Sequence, residues 1–148
     1  MSAGFALSVA MVLIATAVLH VYWAIGGVWP ANNEQDLART VVGANGITKM
    51  PGRNLTMAVA VAIFLAGIWP LVFTRLITSP FPDWLVSLGM IVITIVLLAR
   101  GFGGYLPVFR NANAEQPFAR LDMQFFSPII IALGLSCLLI LLLEWSAS

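Results

Sequence analysis

Two side chains in this sequence are the best placed to do chemistry: His20, the only histidine, and Arg100, the one charge set well inside an apolar segment. At helical spacing His20, Trp23, Ala24 and Gly27 fall on one stripe. An imidazole in that setting can handle a proton near neutral pH, and the indole beside it can hold an apolar group. His20 lies ten residues before Pro30, roughly 15 Å along a helix at about 1.5 Å per residue, so it sits within hydrocarbon and not at a surface. Ionisable groups at that depth default to functional hypotheses. A structural hydrogen bond to Thr56, Thr94 or Gln124 would satisfy the same ring. Arg100 precedes Pro107 by seven residues on the same half of the membrane. It either snorkels to the nearer face or pairs with Asp122, Glu34 or an anionic ligand group, for which its planar fork is well shaped.

The elements that must position these groups are announced by a motif that occurs twice. Ala24-Ile25-Gly26-Gly27-Val28-Trp29-Pro30 closes one apolar run, and Gly101-Phe102-Gly103-Gly104-Tyr105-Leu106-Pro107 closes another. Two readings fit. Either a helical hairpin is duplicated, with equivalent helices parallel, or glycine and proline simply punctuate two span exits. Under the first reading the copies are specialised differently, because His20 aligns with Leu97 and Arg100 with Trp23.

Composition decides what the runs are. The 148 residues are 61% hydrophobic and 9% charged, whereas a soluble domain has about 25% charged residues. A mean hydropathy of +1.00 agrees. Four segments reach the roughly 20 apolar residues that cross a bilayer, and we place them at about 4–28, 55–73, 84–106 and 125–143. The first lacks a basic start and a cleavage site, so it reads as a retained span. Backbone groups in lipid must be satisfied within the segment. The expected fold is therefore all-α, a four-transmembrane-helix bundle forming one integral membrane domain over residues 1–148, with helices two and three paired by a short loop.

Four spans put both termini on one side and the two long connections, 31–54 and 108–124, on the other. The short connection holds a turn with two prolines, Ser79-Pro80-Phe81-Pro82. The long connections carry Arg39, Lys49, Arg53, Arg110 and Arg120 against Arg75 alone in the short one. The positive-inside rule then puts the long loops in the cytoplasm and both termini outside. Trp29, Trp69, Trp84 and Trp145 fall where an interfacial belt is expected. Asp122 and Ser127, before Pro128, read as helix caps.

Many functions are set aside by what is lacking. A net charge of +1 without a basic cluster gives no surface for nucleic acid. One cysteine, Cys137, excludes an internal disulfide and a Cys-X-X-Cys pair, and its mid-span place among Leu and Ile reads as packing. One histidine cannot build a bis-histidine haem or a multi-histidine metal site, so no cofactor and no metal is expected. A phosphate loop and a serine nucleophile elbow are both missing.

The segment His20-Val21-Tyr22-Trp23-Ala24-Ile25-Gly26-Gly27, Arg100 before the second Gly-Gly, and Phe125-Phe126-Ser127-Pro128 at the last span complete a pattern. With its four spans the chain resembles a bacterial family of small four-helix membrane proteins classed as a domain of unknown function. That resemblance implies a protein of the bacterial cell inner membrane, assigns no activity and offers no catalytic residues to carry over.

The expected site is a polar pocket opening to the long-loop side, walled by His20, Trp23, Gly27, Arg100 and Tyr105 and covered by Arg53, Glu34 and Asp122. It would take a small amphipathic or lipid-like molecule, with His20 as the candidate catalytic group. Whether the chain is an enzyme stays open. Membrane lipids are the expected partners. The alternative is a non-catalytic accessory or scaffold subunit of a larger membrane complex, or a homo-oligomer, making close helix contacts through Gly67, Gly89, Gly134, Ser87 and Ser136.

Overall fold

A computed structural model describes residues 1–146, which form helices with no strand among them. Four helices are long and apolar enough to cross a membrane: α1 (Ser2–Ala24), α3 (Arg53–Phe73), α4 (Asp83–Gly103) and the continuous stretch Phe118–Trp145, whose regular part is α7 (Ser127–Trp145). Their spacing gives almost no amphipathic face, since apolar residues cover all sides, the pattern of a helix with lipid as solvent. Leu7, Met11, Val61, Leu65, Ile95 and Leu142 point outward accordingly. The first and third spans end at Ala24 and Gly103, a few residues before the expected limits, because the Gly-Gly motifs already belong to the exits.

The bundle is a ring in the order α1, α3, α4, α7, with neighbours antiparallel. The tight contacts are α1 on α3 and α4 on α7, and the short-loop pair α3–α4 touches less. Each tight pair is one of the two expected hairpins. Helix association in lipid rests on close packing. Gly67 accordingly faces Leu13 and Ile14, Gly134 faces Leu98, and Gly101 faces the Ile131 backbone. Ala6, Val9, Ala10 and Leu13 of α1 meet Leu71, Met90, Leu133, Cys137 and Ile140 in a core nearer the termini. On that side Trp69 closes the short connection, donating to the Val86 carbonyl at 2.8 Å and stacking on Phe81.

The long connections fold into short helices and are sewn to each other. Asn33 caps α2 (Glu34–Val41) by accepting from the Asp36 amide at 2.9 Å. Its buried residues Leu37 and Ala38 mark the face that turns toward α6 (Phe118–Leu121), which follows α5 (Pro107–Ala112). Gly43, at φ +72°, has the Phe118 ring where a Cβ would stand. Asn45 donates to the Asn111 carbonyl at 2.7 Å and accepts from the Ala114 amide at 3.0 Å. Glu115 accepts from the Gly46 amide at 2.9 Å and stands 3.6 Å from the Arg39 Nε.

Candidate functional site

Arg100 lies in the last turn of α4, and the structure gives its guanidinium three partners, Asp122, Ser127 and Phe109. Its Nη2 donates to Asp122 Oδ1 at 2.6 Å, its Nη1 lies 3.4 Å from Ser127 Oγ, and its guanidinium stacks 4.6 Å above the Phe109 ring. Ser127 in turn donates to Asp122 Oδ2 at 2.9 Å, so both carboxylate oxygens are satisfied. Asp122 and Ser127 are buried, while the Arg100 side chain keeps 34% exposure toward the long-loop face.

Local structure explains how these groups meet. The chain from Asp122 to Phe126 is π-helical, and this wider turn lets one extra residue enter the last span. Asp122 and Ser127 are thereby brought onto one side of the turn instead of capping separate helices, and neither makes a side-chain cap. The close approach also needs Gly104. A Cβ there would collide with Ser127 Oγ and come within 2.7 Å of Asp122 Oδ2.

The repeated glycine pairs thus do different work. Gly26 has φ +99° and ends α1 by a left-handed turn, with the Gly27 amide bonded to the Tyr22 carbonyl at 2.9 Å. Gly104 keeps a right-handed backbone and is needed for space.

The other expected site residues form a separate group on α1, diagonally across the ring from α4. His20 Nδ1 donates to the Thr16 carbonyl of its own helix at 2.8 Å, not to Thr56, Thr94 or Gln124. Its ring lies 4.9 Å from that of Trp23, whose Nε1 donates to the Trp29 carbonyl at 2.8 Å. Gly27 lies under the Tyr22 ring. No hydrogen bond or ring contact joins this group to Arg100 among the described residues. Arg53, the first residue of α3, is exposed and has no ion pair among the described residues, and Glu34 accepts from the Met50 amide at 3.1 Å.

A concave surface does lie beside the Arg100 cluster. An open groove of about 540 Å³ is lined by Arg110, Gln116, Pro117, Ala119, Arg120 and Met123. A small cleft behind it shares Arg110 and Ala119 and reaches Gly104 and Asp122. Tyr105 borders the same place, donating to the Met123 carbonyl at 3.0 Å. Asp122 therefore reaches the cleft behind the groove, Arg100 is bonded to Asp122, and Tyr105 holds the backbone of the lining residue Met123. Nothing in the sequence beyond the loop charge count marks Arg110 and Arg120, whose ten-residue separation carries no helical or motif signal.

These features define a four-span helical membrane protein whose polar interior is gathered at the long-loop end of its second hairpin. The model of the family described as "Protein of unknown function (DUF3995)" matches residues 13–137, and the chain belongs to that family. No curated protein matches the chain. Nor does any solved structure.

Proposed function

We propose that this protein binds a small amphipathic, lipid-like molecule in the groove between α5, α6 and the π-helical turn. One observation carries the reading: the groove sits where a span leaves the membrane and combines guanidinium and amide groups with the apolar surfaces of Pro117, Ala119 and Met123. In this reading Arg100, Asp122 and Tyr105 act from behind, by fixing the wall. His20, Trp23, Gly27 and Arg53 lie outside the groove. His20, whose Nε2 has no partner among the described residues, is the candidate proton-handling group if the bound molecule is also transformed.

The competing reading, an accessory subunit of a larger complex, loses part of its motivation in the bundle. Gly67 and Gly134 are occupied by Leu13, Ile14 and Leu98, and Gly89 by the Trp69 indole, all within the chain. We further infer a bacterial inner membrane with the long loops in the cytoplasm. Among the described residues Lys49, Arg53, Arg110 and Arg120 on that side have no carboxylate partner, whereas Arg75 opposite stands 3.6 Å from Asp83. The test is native mass spectrometry of the full chain released from mild detergent. The expected result is a retained small molecule that is lost when Ala119→Trp fills the groove. A protein that emerges with a stoichiometric protein partner and no small molecule overturns the proposal.

A further inference from the structure

The charges around the groove are committed unequally, and the inequality has one sign. Each acid of the long-loop face has a partner. Glu34 accepts from the Met50 amide, Asp36 from the Asn33 amide group, Glu115 from the Gly46 amide while facing Arg39, and Asp122 from Arg100 and Ser127. The groove lining contains no carboxylate at all. Its two arginines, in contrast, are nearly free. The Arg120 side chain makes no hydrogen bond or ion pair among the described residues, and the Arg110 side chain donates only to Met123 Sδ at 3.2 Å. A thioether sulfur is a weak acceptor, so an oxyanion would replace it with gain. Arg110 comes from α5 and Arg120 from α6; α6 packs on α2, and the segment after α2 is tied to α5 by Asn45 at the Asn111 carbonyl and to the α5–α6 connection by Gly46 at Glu115. The guanidiniums thus approach the groove from two elements, as a clamp would.

We propose that the groove recognises a phosphate-bearing anion, with Arg110 and Arg120 as its clamp and Gln116 as a further donor. This deepens the reading above and rests on it where the phosphate belongs to a lipid headgroup. In that case Met123, Pro117 and Ala119 receive the first apolar atoms beyond the phosphate. The neutral Arg100–Asp122 pair behind keeps the site's net charge at that of the two clamp arginines.

The experiment titrates the full-length protein in detergent with short-chain phosphatidic acid, phosphatidylglycerol and phosphatidylcholine, and with inorganic phosphate, by calorimetry. The anionic lipids are expected to bind at least about tenfold more tightly than phosphatidylcholine. Arg110→Gln and Arg120→Gln should each weaken them about tenfold, from the loss of one charge-assisted contact. Arg75→Gln on the opposite face serves as the control and should leave affinity unchanged, with size exclusion confirming that each variant folds. Equal binding of phosphatidylcholine, unaffected by either groove variant, overturns the anion clamp and leaves the lipid-like reading standing. Inorganic phosphate binding as tightly as the lipids, with the same sensitivity to both variants, upholds the clamp and overturns the lipid as its source. Absence of binding by all four probes overturns both proposals.

Discussion

Gly104→Ala tests whether the Arg100–Asp122–Ser127 cluster is what joins α4 to the last span. The backbone at Gly104 has φ −58° and ψ −22°, values any residue adopts, so the substitution introduces no backbone strain. What it introduces is a methyl group in occupied space. The new carbon would collide with Ser127 Oγ, come within 2.7 Å of Asp122 Oδ2 and lie 3.1 Å from Arg100 Nη1. Inserting a methylene into a packed site costs about 1–3 kcal/mol. If the cluster opens to relieve the collision, the buried Asp122 carboxylate loses its cation, and broken pairs of that kind cost roughly 3–5 kcal/mol.

Gly103→Ala is the matched control, since a Cβ at Gly103 meets nothing within 4 Å. Within a helix that change should stabilise by roughly 0.5–1 kcal/mol. Thermal unfolding in detergent, read by size exclusion of the heated sample, should therefore separate two neighbouring glycines by opposite signs. At about 2–4 °C per kcal/mol for a chain of this length, Gly104→Ala should lower the midpoint by at least about 2 °C, and Gly103→Ala should leave it level or higher. Adding Ser127→Ala to Gly104→Ala removes the nearest atom. The double variant should then lose less than the sum of the singles, with a coupling of about 0.5–3 kcal/mol. A Gly104→Ala protein as stable as the Gly103→Ala protein, or strict additivity with Ser127→Ala, would refute the reasoning.

Two further perturbations follow from the same geometry. Arg100→Met should destabilise more than Asp122→Asn in the same melting assay, by about 3–5 against about 1–2 kcal/mol. The first strands a buried carboxylate, whereas the second leaves an arginine that is 34% exposed and free to snorkel. Equal losses would mean the pair is solvated in lipid-embedded protein. Glu115→Ala removes the acceptor for the Gly46 amide and the anion facing Arg39, so hydrogen exchange at residues 43–46 should accelerate about tenfold or more while the spans stay protected. Unchanged exchange there would show that the two long connections are not held together by this residue.

The spans are legible because apolar runs of that length have few alternatives, whereas Arg100 is left with Asp122, Glu34, a ligand anion or snorkelling as equally open ways to satisfy its charge. The sequence places the span exits a few residues late because Ile25, Val28, Tyr105 and Leu106 keep the apolar pattern going after the helix has stopped. The π-helical turn left no mark in composition: one extra residue between Asp122 and Ser127 changes which side chains meet, not which residue types are present. The ties between the long connections were equally hidden, since Asn45 and Glu115 reach partners 66 and 69 residues away through backbone groups that every residue carries. His20 was matched to side chains on other helices, although the Thr16 carbonyl one turn back could accept its proton at no topological cost.

The cost of a charge explains why the conspicuous arginine and the available arginines are different residues. A guanidinium inside a span cannot stay unpaired, so Arg100 is bound to Asp122, stacked on Phe109 and backed by Ser127. A group so fully engaged would have to surrender its carboxylate before it could hold a ligand anion. Arg110 and Arg120 stand where water can solvate them, so the fold can leave them without counter-ions. Depth therefore divides the labour. The buried pair fixes the angle at which α4, α5 and the π-helical turn meet, and the rim arginines that this angle presents keep their donors free for an external anion. Tightening an anion site of this kind calls for changes at residues 110, 116 and 120, whereas changes at 100, 104, 122 and 127 should act first on folding.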